Sequence, residues 1–294
     1  MGPAKKRKLK SALNNALASG NAFNAKKHKL AAQEQQQKNS KKKRSGGQKQ
    51  QQQHRQQKQA LYSTDTILLI GEGNFSFAKS LVEHHLTEGA EQLTATCYDS
   101  EEVLYEKYEE ARDNIEIIRS LGGTVLFGID GTQLSKQKLF KNQKFSRVIF
   151  NFPHAGAGIK DQDRNVRANQ ALLRGFFVSA AQLLSPDGEI RVTIKTCKPY
   201  DLWTIRKLAK TSDLAVKTAV AFEPKDFPGY EHRRTLGFKE GISKSGNEEI
   251  VQSEPKTYVF VHKDRMQEEI AKSAHGMKQQ KNKRKRKDED SDED

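Results

Sequence analysis

The stretch "LLIGEGNFSFAKSL", residues 68–81, decides how the chain is read. It begins inside a short apolar run, "TILLI" (66–70). A continuous run of that length, stopped by glycine, reads as a strand buried on both faces. Gly71-Glu72-Gly73 then turns the chain, and "FAKSLVEHHL" (77–86) has apolar residues at helical spacing. Strand, glycine turn and helix form the repeating unit of an alternating α/β sheet.

The pattern continues downstream. "QLTATCYD" (92–99) and "TVLFGID" (124–130) read as strands, each ending in an acid. Between them, "EEVLYEKYEEARDNIEIIRSL" (101–121) reads as one helix, with acids at its start to suit the dipole and Gly122-Gly123 to stop it. "FSRVIFNF" (145–152) is a fourth strand, and "DRNVRANQALLRGFFVSAAQLL" (163–184) is a long helix ending at Ser-Pro-Asp-Gly. "EIRVTIK" (189–195) is a fifth strand and "YDLWTIRKLAKTS" (200–212) a helix. "LAVKTAVAFE" (214–223) and "KTYVFVH" (256–262) are the last two strands. The expected fold is a seven-stranded, mainly parallel α/β sheet with helices on both faces. No helix is read between the last two strands, so the last strand is expected to be antiparallel. Ligands of such sheets bind at the carboxyl ends of the strands, where strand order reverses.

Gly71 and Gly73 form G-x-G after the first strand, which lets a ligand approach the backbone. Ser76 stands where a dinucleotide fingerprint has its third glycine, and Asn74, Phe75 and Phe77 are bulky for a pyrophosphate cradle. An ordinary tight turn explains G-x-G about as well. Asp99, ending the second strand, can accept both hydroxyls of a ribose. Asp130, ending the third, can accept from an adenine amino group. Each has a bland alternative as a helix N-cap or turn aspartate. Together they point to an adenosine ligand without pyrophosphate, which suits S-adenosylmethionine better than NAD.

The fourth strand ends in Asn151-Phe152-Pro153-His154. This resembles the Asn/Asp-Pro-Pro-aromatic tip of methyltransferases that act on nitrogen, which clamps a planar base. Pro153 fixes φ and stiffens the loop. Asn151 offers a carbonyl acceptor and an amide donor. His154 is a candidate base near neutral pH, its alternative being a hydrogen-bonded loop histidine. Gly156 and Gly158 let the following loop close. Lys195, ending the fifth strand, can stabilise an oxyanion or can simply cap the sheet. The segment 222–239 mixes Lys225, His232, Arg233, Arg234 and Lys239 with Phe227 and Tyr230, a combination that suits phosphate contact and base stacking. Its alternative is a solvated hairpin loop with a few packed aromatics.

Charge is uneven along the 294 residues. Residues 1–60 carry 16 Lys and Arg against one acid, Glu34, for a net +15. The whole chain also carries +15, so the remainder sums to zero. Residues 265–294 hold 9 basic and 8 acidic residues, in blocks. Neither end has the apolar content to offset the entropy of ordering, so 1–60 and 265–294 are expected to be disordered tails around a domain at 61–264. "KKRKLK" (5–10), "KKKR" (41–44) and "KNKRKRK" (281–287) read as nuclear import signals, hence import receptors as partners, or as phosphate-binding clusters. Such clusters attract RNA by counterion release without reading sequence. Cys97 and Cys197 each lie in an apolar run and are expected to be buried free thiols. There is no metal-ligand spacing, no apolar run of membrane-spanning length, and no secretory apolar region near residue 1, so no metal and no membrane are expected.

"LLIGEGNFSFAKSL", "NFPHAG" and "PGYEHRRTLG" (228–237), in this order, resemble the ribosomal RNA uridine-N3 methyltransferase family of fungal nucleoli. The resemblance covers roughly 61–264. It implies a Rossmann-like class I methyltransferase fold, S-adenosylmethionine as donor, and uridine N3 in large-subunit (25S-like) ribosomal RNA or a pre-ribosomal particle as acceptor. By position, it sets Gly71, Glu72 and Gly73 against the donor, with Asp99 and Asp130 on its ribose and adenine; Asn74, Phe75, Ser76 and Asn151 are further candidates for donor contact. It sets Asn151, Pro153 and His154 against the uracil. On side-chain chemistry alone, Lys195 is a candidate to stabilise a uracil oxyanion, and Lys225, Tyr230, His232, Arg233 and Arg234 are candidates for RNA contact. Many methyltransferases carry an acid two residues before the first glycine. Leu69 stands there in this sequence, and Glu72 can take part of that role. A nuclear, nucleolar, monomeric protein is expected. The rivals are a non-enzymatic RNA-binding ribosome-assembly factor on a degenerate fold and an NAD-dependent oxidoreductase.

Overall fold

Alternate residues of the first strand face opposite ways, and both sets are apolar. In β1 (Ile67–Ile70), Leu68 and Ile70 join one buried cluster while Ile67 and Leu69 join another. A strand covered on both faces belongs at the centre of a layered sheet. The computed structural model, which describes residues 64–86, 89–156, 158–235 and 246–273, has that sheet.

After β1 come α1 (Ser76–His84), β2 (Leu93–Thr96), α2 (Glu101–Lys107), α3 (Ala111–Ser120), β3 (Thr124–Leu126) and β4 (Phe145–Asn151). Then follow α4 (Gln162–Leu183), β5 (Leu184–Ile194), α5 (Ile205–Lys210), β6 (Leu214–Ala221), α6 (Gly246–Gln252) and β7 (Lys256–His262). Residues 263–273 form a last helix, α7. The strand order is β3-β2-β1-β4-β5-β7-β6. β7 runs antiparallel to both β5 and β6, and the other pairings are parallel. Leu173, Phe176 and Phe177 of α4 and Ile205 and Leu208 of α5 cover one face. Leu81 of α1, Leu104 of α2 and Ile115 and Ile118 of α3 cover the other. The order reverses between β1 and β4, which is where such sheets open a crevice.

Several elements depart from the sequence reading. The helix expected over 101–121 is two helices, because Tyr108 leaves helical geometry (φ −141, ψ 92) and turns its buried ring inward. β2 and β3 stop short, so Asp99 and Asp130 lie in loops. Those loops are tied by the bonds of the Gly128 amide to Asp99 O and the Ile129 amide to Cys97 O, both 2.9 Å. Ser-Pro-Asp-Gly does not separate α4 from β5. It bulges out of the strand, where Phe145 pairs with Leu184 and Arg147 with Glu189. The helix expected over 200–212 is a 3-10 turn, Tyr200–Trp203, and the short α5, divided at Thr204 with φ 50. β6 and β7 do pair antiparallel, but α6 lies between them. Cys97 is buried as expected, whereas Cys197 is exposed.

The expected domain end at 264 falls within α7, where the Arg265 guanidinium donates to the carbonyls of Asp187 and Gly188. The three basic clusters, residues 1–63, Lys239 and residues 274–294 lie outside the described residues. Among the described residues no helix is long and apolar enough to cross a membrane.

Candidate functional site

Two neighbouring cavities open at the carboxyl ends of the strands. The larger, about 360 Å³, is lined by the end of β1, the loops after β2 and β3, and the tip of β4. Gly71 shapes its floor with φ +68, and a Cβ there would lie 2.6 Å from the Phe150 ring. Both the backbone and the contact require glycine. The Glu72 amide donates to Thr96 O at 2.9 Å, and its carboxylate accepts from the Ala78 amide at 3.2 Å. That bond caps the first turn of α1, whose N-cap position, Phe75, supplies no side-chain cap. Burial pushes the Glu72 carboxyl up to about 7, outweighing the Ala78 bond that lowers it.

Asp99 and Asp130 both line this cavity. Neither caps a helix. Ser100 caps α2 in place of Asp99, accepting from the Val103 amide. Lys107 Nζ donates to both oxygens of Asp99 at 2.8 Å. An ionised carboxylate has about four acceptor sites, so each Asp99 oxygen keeps a free one. Asp130 is bound as a turn aspartate. Oδ1 accepts from the Thr132 amide (2.8 Å) and hydroxyl (2.7 Å), and Oδ2 accepts from Gln133 (3.0 Å). That leaves about one free site, on Oδ2.

Asn74 lines the cavity, but its side chain is committed to Glu110 and Ser76. Phe75 and Ser76 do not line it, contrary to expectation. Phe75 is fully buried, edge-on to Phe127, and the Ser76 hydroxyl bonds Asn74 and the Glu231 backbone. Tyr98 was not expected, yet it stands 72% exposed at the rim.

The β4 tip divides the cavities. Asn151 Oδ1 accepts from the Thr193 hydroxyl at 2.7 Å, and Thr193 bonds Thr257 across β5 and β7 at 2.9 Å. The carbonyl is therefore committed, while the buried Nδ2 has no partner. Phe152 lines both cavities and takes φ 49, a left-handed conformation that costs a bulky residue about 1–3 kcal/mol. Its amide is held by Thr193 O at 2.8 Å, and its ring lies edge-on to Phe222 and His232. This reversal sends Pro153 and His154 toward the second cavity. His154 Nδ1 accepts from the Gly156 amide at 3.0 Å, so the neutral ring carries its proton on Nε2. Burial, then the nearby Lys195 charge, lowers its pKa. The next amide, Ala155, donates to Asn169 of α4 at 2.8 Å. Asn169 is 1% exposed, and an asparagine on the apolar side of a long helix was the only sequence clue to it.

The smaller cavity, about 280 Å³, adds Pro153, Lys195, Tyr200, Trp203, Arg234 and Glu249 to the shared Phe152, His154 and His232. Lys195 Nζ pairs with Glu249 Oε1 at 2.7 Å, and Arg234 pairs with Oε2. Burial raises the Glu249 pKa, but these two cations outweigh it and bring it down to about 2.

The segment expected to project toward RNA instead folds back over the larger cavity. Tyr108 OH donates to Arg234 O at 2.6 Å. Tyr230 is packed against Phe77 and Phe222, and burial holds its hydroxyl well above the usual range. His232 bonds Tyr230 OH at 3.2 Å, and burial, then Lys195, lowers it to about 4, so it is neutral. Arg233 bonds Glu110 and Glu231. Of the five residues expected to face RNA, only Lys225 and Arg234 have exposed side chains, and Lys225 lines neither cavity. Among the described residues no group of three or more His, Cys, Asp or Glu side chains is placed to hold a metal.

This arrangement defines a Rossmann-like α/β protein with a ligand cavity at the reversal of strand order and acids after the next two strands. Residues 68–234 match the family described as rRNA (uridine-N3-)-methyltransferase, BTM5-like, and the chain belongs to that family. Heavy metal-associated isoprenylated plant protein 41 of Arabidopsis thaliana is 39% identical over 60% of this chain and 34% of its own length. An uncharacterized Arabidopsis thaliana protein is 39% identical over 60% of this chain and 84% of its length. The 25S rRNA (uridine(2634)-N(3))-methyltransferase of Saccharomyces cerevisiae is 34% identical over 58% of this chain and 66% of its length. The chain thus spans about a third of the first plant relative. Among solved structures, NSun6 from Pyrococcus horikoshii superposes with a TM-score of 0.45 at 11% identity, over 68% of this chain and 48% of that one.

Proposed function

We propose that this protein transfers a methyl group from S-adenosylmethionine to N3 of a uridine in large-subunit ribosomal RNA. The observation that carries the reading is the family match over 68–234, which contains every residue lining the larger cavity except Thr235. The yeast relative, named for the same reaction on 25S rRNA, supports the acceptor.

The cavity fits the donor. When bound, S-adenosylmethionine supplies a methyl group on a sulfonium, which needs no metal to activate it. The glycine floor admits a ligand close to the backbone, and the two free acceptor sites of Asp99 match the two hydroxyls of a ribose. The remaining site on Asp130 Oδ2 matches an adenine amino group. Glu72 faces the same cavity and ionises readily beside a cation.

Uridine N3 carries a proton and is a poor nucleophile until it leaves. His154 does not serve as the base expected from the sequence, because Nδ1 is engaged by Gly156 and Nε2 holds the proton. It acts instead as a donor. The Nε2–H of His154, the free amide of Asn151 and the ammonium of Lys195 stabilise the uracil anion through its oxygens, which eases transfer of the N3 proton to solvent water before attack on the methyl group. The rigid Phe152-Pro153 turn holds the ring for in-line attack. The basic clusters support nuclear import and attraction to ribosomal RNA in the nucleolus. Residues 61–264, extended by α7, form the catalytic domain.

Calorimetric titration of the full chain tests the donor assignment. S-adenosylmethionine is expected to bind and NAD is not, and Asp99→Ala is expected to weaken donor binding about tenfold, the equivalent of about 1.4 kcal/mol. Failure to bind S-adenosylmethionine would favour the assembly-factor reading. Binding of NAD would favour an oxidoreductase.

A further inference from the structure

Native proteins leave few buried polar atoms unpaired, and each such atom needs a reason. Among the described residues four buried side-chain polar atoms lack a partner, and two of these belong to cavity residues. One is Asn151 Nδ2, already placed at the methyl-transfer site. The other is the indole nitrogen of Trp203, a residue 1% exposed that lines the smaller cavity. Lys195, 9% exposed, lines the same cavity, and its ammonium has donors to spare beyond Glu249.

We infer that the smaller cavity is a uracil pocket, entered by one nucleotide turned out of the RNA, in which the Trp203 indole N–H and the Lys195 ammonium each meet one of the ring's two carbonyl oxygens. The inference rests on the methyl-transfer reading and deepens it by assigning the base pocket and its specificity residue. Size and walls suit that ligand. At about 280 Å³ the cavity is near the lower end of the roughly 300–1,000 Å³ range for small-molecule sites, which is room for one base rather than a base pair. Tyr200 and Trp203 pack with ring centroids 4.9 Å apart, and His154 lies 6.3 Å from Trp203, giving an aromatic wall. Extrusion follows from the chemistry, since N3 lies on the pairing edge and is inaccessible inside a duplex.

The same donors reject cytosine. Cytosine replaces one carbonyl acceptor with an amino donor. A donor facing a donor leaves both unpaired, and a site built around hydrogen bonds discriminates strongly on that basis. With its N–H on O4, the position that carries the amino group in cytosine, Trp203 is the specificity residue for uracil, and Lys195 takes O2.

Trp203 is the only tryptophan in the chain, so intrinsic fluorescence reports this cavity directly. The full chain, saturated with S-adenosylhomocysteine, is titrated with uridine 5′-monophosphate and with cytidine 5′-monophosphate. Uridine monophosphate is expected to change the emission saturably, with at least tenfold weaker response to cytidine monophosphate. No response, or equal responses, overturns the inference. In parallel, Trp203→Phe keeps a ring but removes the donor. It is expected to raise KM for RNA at least tenfold while donor affinity is unchanged, and an unchanged KM counts against the pocket. A uridine-selective response without methyl transfer would leave the pocket standing and remove the reaction. Methyl transfer without a uridine-selective response would do the reverse.

Discussion

Glu72 shows what a single side chain in this cavity is asked to do. Its folded pKa, about 7, lies above the ordinary 4.5 because burial disfavours the charge. The folded state therefore keeps a proton that the unfolded chain releases, and stability falls as pH rises from about 4.5 through 7. Glu72→Gln keeps an acceptor for the Ala78 amide and is expected to stabilise the protein above pH 7, on the order of 2–3 kcal/mol by urea denaturation. A bound sulfonium favours the ionised carboxylate, so donor affinity of the wild type is expected to rise as pH passes through 7, a trend that Glu72→Gln should flatten. At this scale the placement of Asp99, Asp130 and Asn151 beside the larger cavity was legible from the sequence, because residues just past the carboxyl ends of parallel strands gather at one edge, even though β2 and β3 stop before the two acids. Phe75 and Ser76 were not. Both lie within three residues of Gly73, but the left-handed turn at Phe75 drops its ring into the core. The tautomer of His154 depends on a loop amide two residues on, which no spacing rule foretells.

Among the elements, the strands were readable and the short helices were not. β1 is an unbroken apolar run buried on both faces, and β4 and β7 carry apolar stretches, Val148–Phe150 and Tyr258–Val261, that mark them as strands. The break at Tyr108 has no glycine or proline to announce it. It exists because Tyr108 and Glu110 turn inward to bond the 231–234 segment, a tertiary demand that overrides helix propensity. α6 was missed for a similar reason. Its seven residues hold few apolar side chains, and only Ile250 anchors it in the core. Yet α6 supplies Glu249, the counter-charge of Lys195. Lys195 is the buried partner and Glu249 is 35% exposed, so removing Glu249 leaves a buried ammonium short of its counter-charge. Glu249→Ala is expected to destabilise the protein by roughly 1–3 kcal/mol in denaturant melts. It should also lower the pKa of His154 and His232 further, because Lys195 loses its compensating charge, a change that imidazole chemical shifts would report.

For the whole molecule, the layered sheet and the polarity of the cavity end followed from the alternation of elements, while the charge distribution divides labour along the chain. The net +15 resides in residues 1–60, and the rest sums to zero. On the proposed reading, attraction to RNA resides in residues 1–60 and recognition of a base in the folded part. RNA binding by the full chain is expected to fall steeply with salt, and a chain beginning at Leu61 is expected to bind more weakly and with a shallower slope of log affinity against log salt. Equal slopes would place the phosphate contacts on the folded part instead.

The central claim is the reaction, and nucleoside mass spectrometry of large-subunit ribosomal RNA tests it most directly. Cells carrying the intact protein are compared with cells carrying Asp99→Ala combined with His154→Ala, the variant being confirmed folded. Loss of 3-methyluridine in the variant is the predicted result. Unchanged 3-methyluridine would contradict the account.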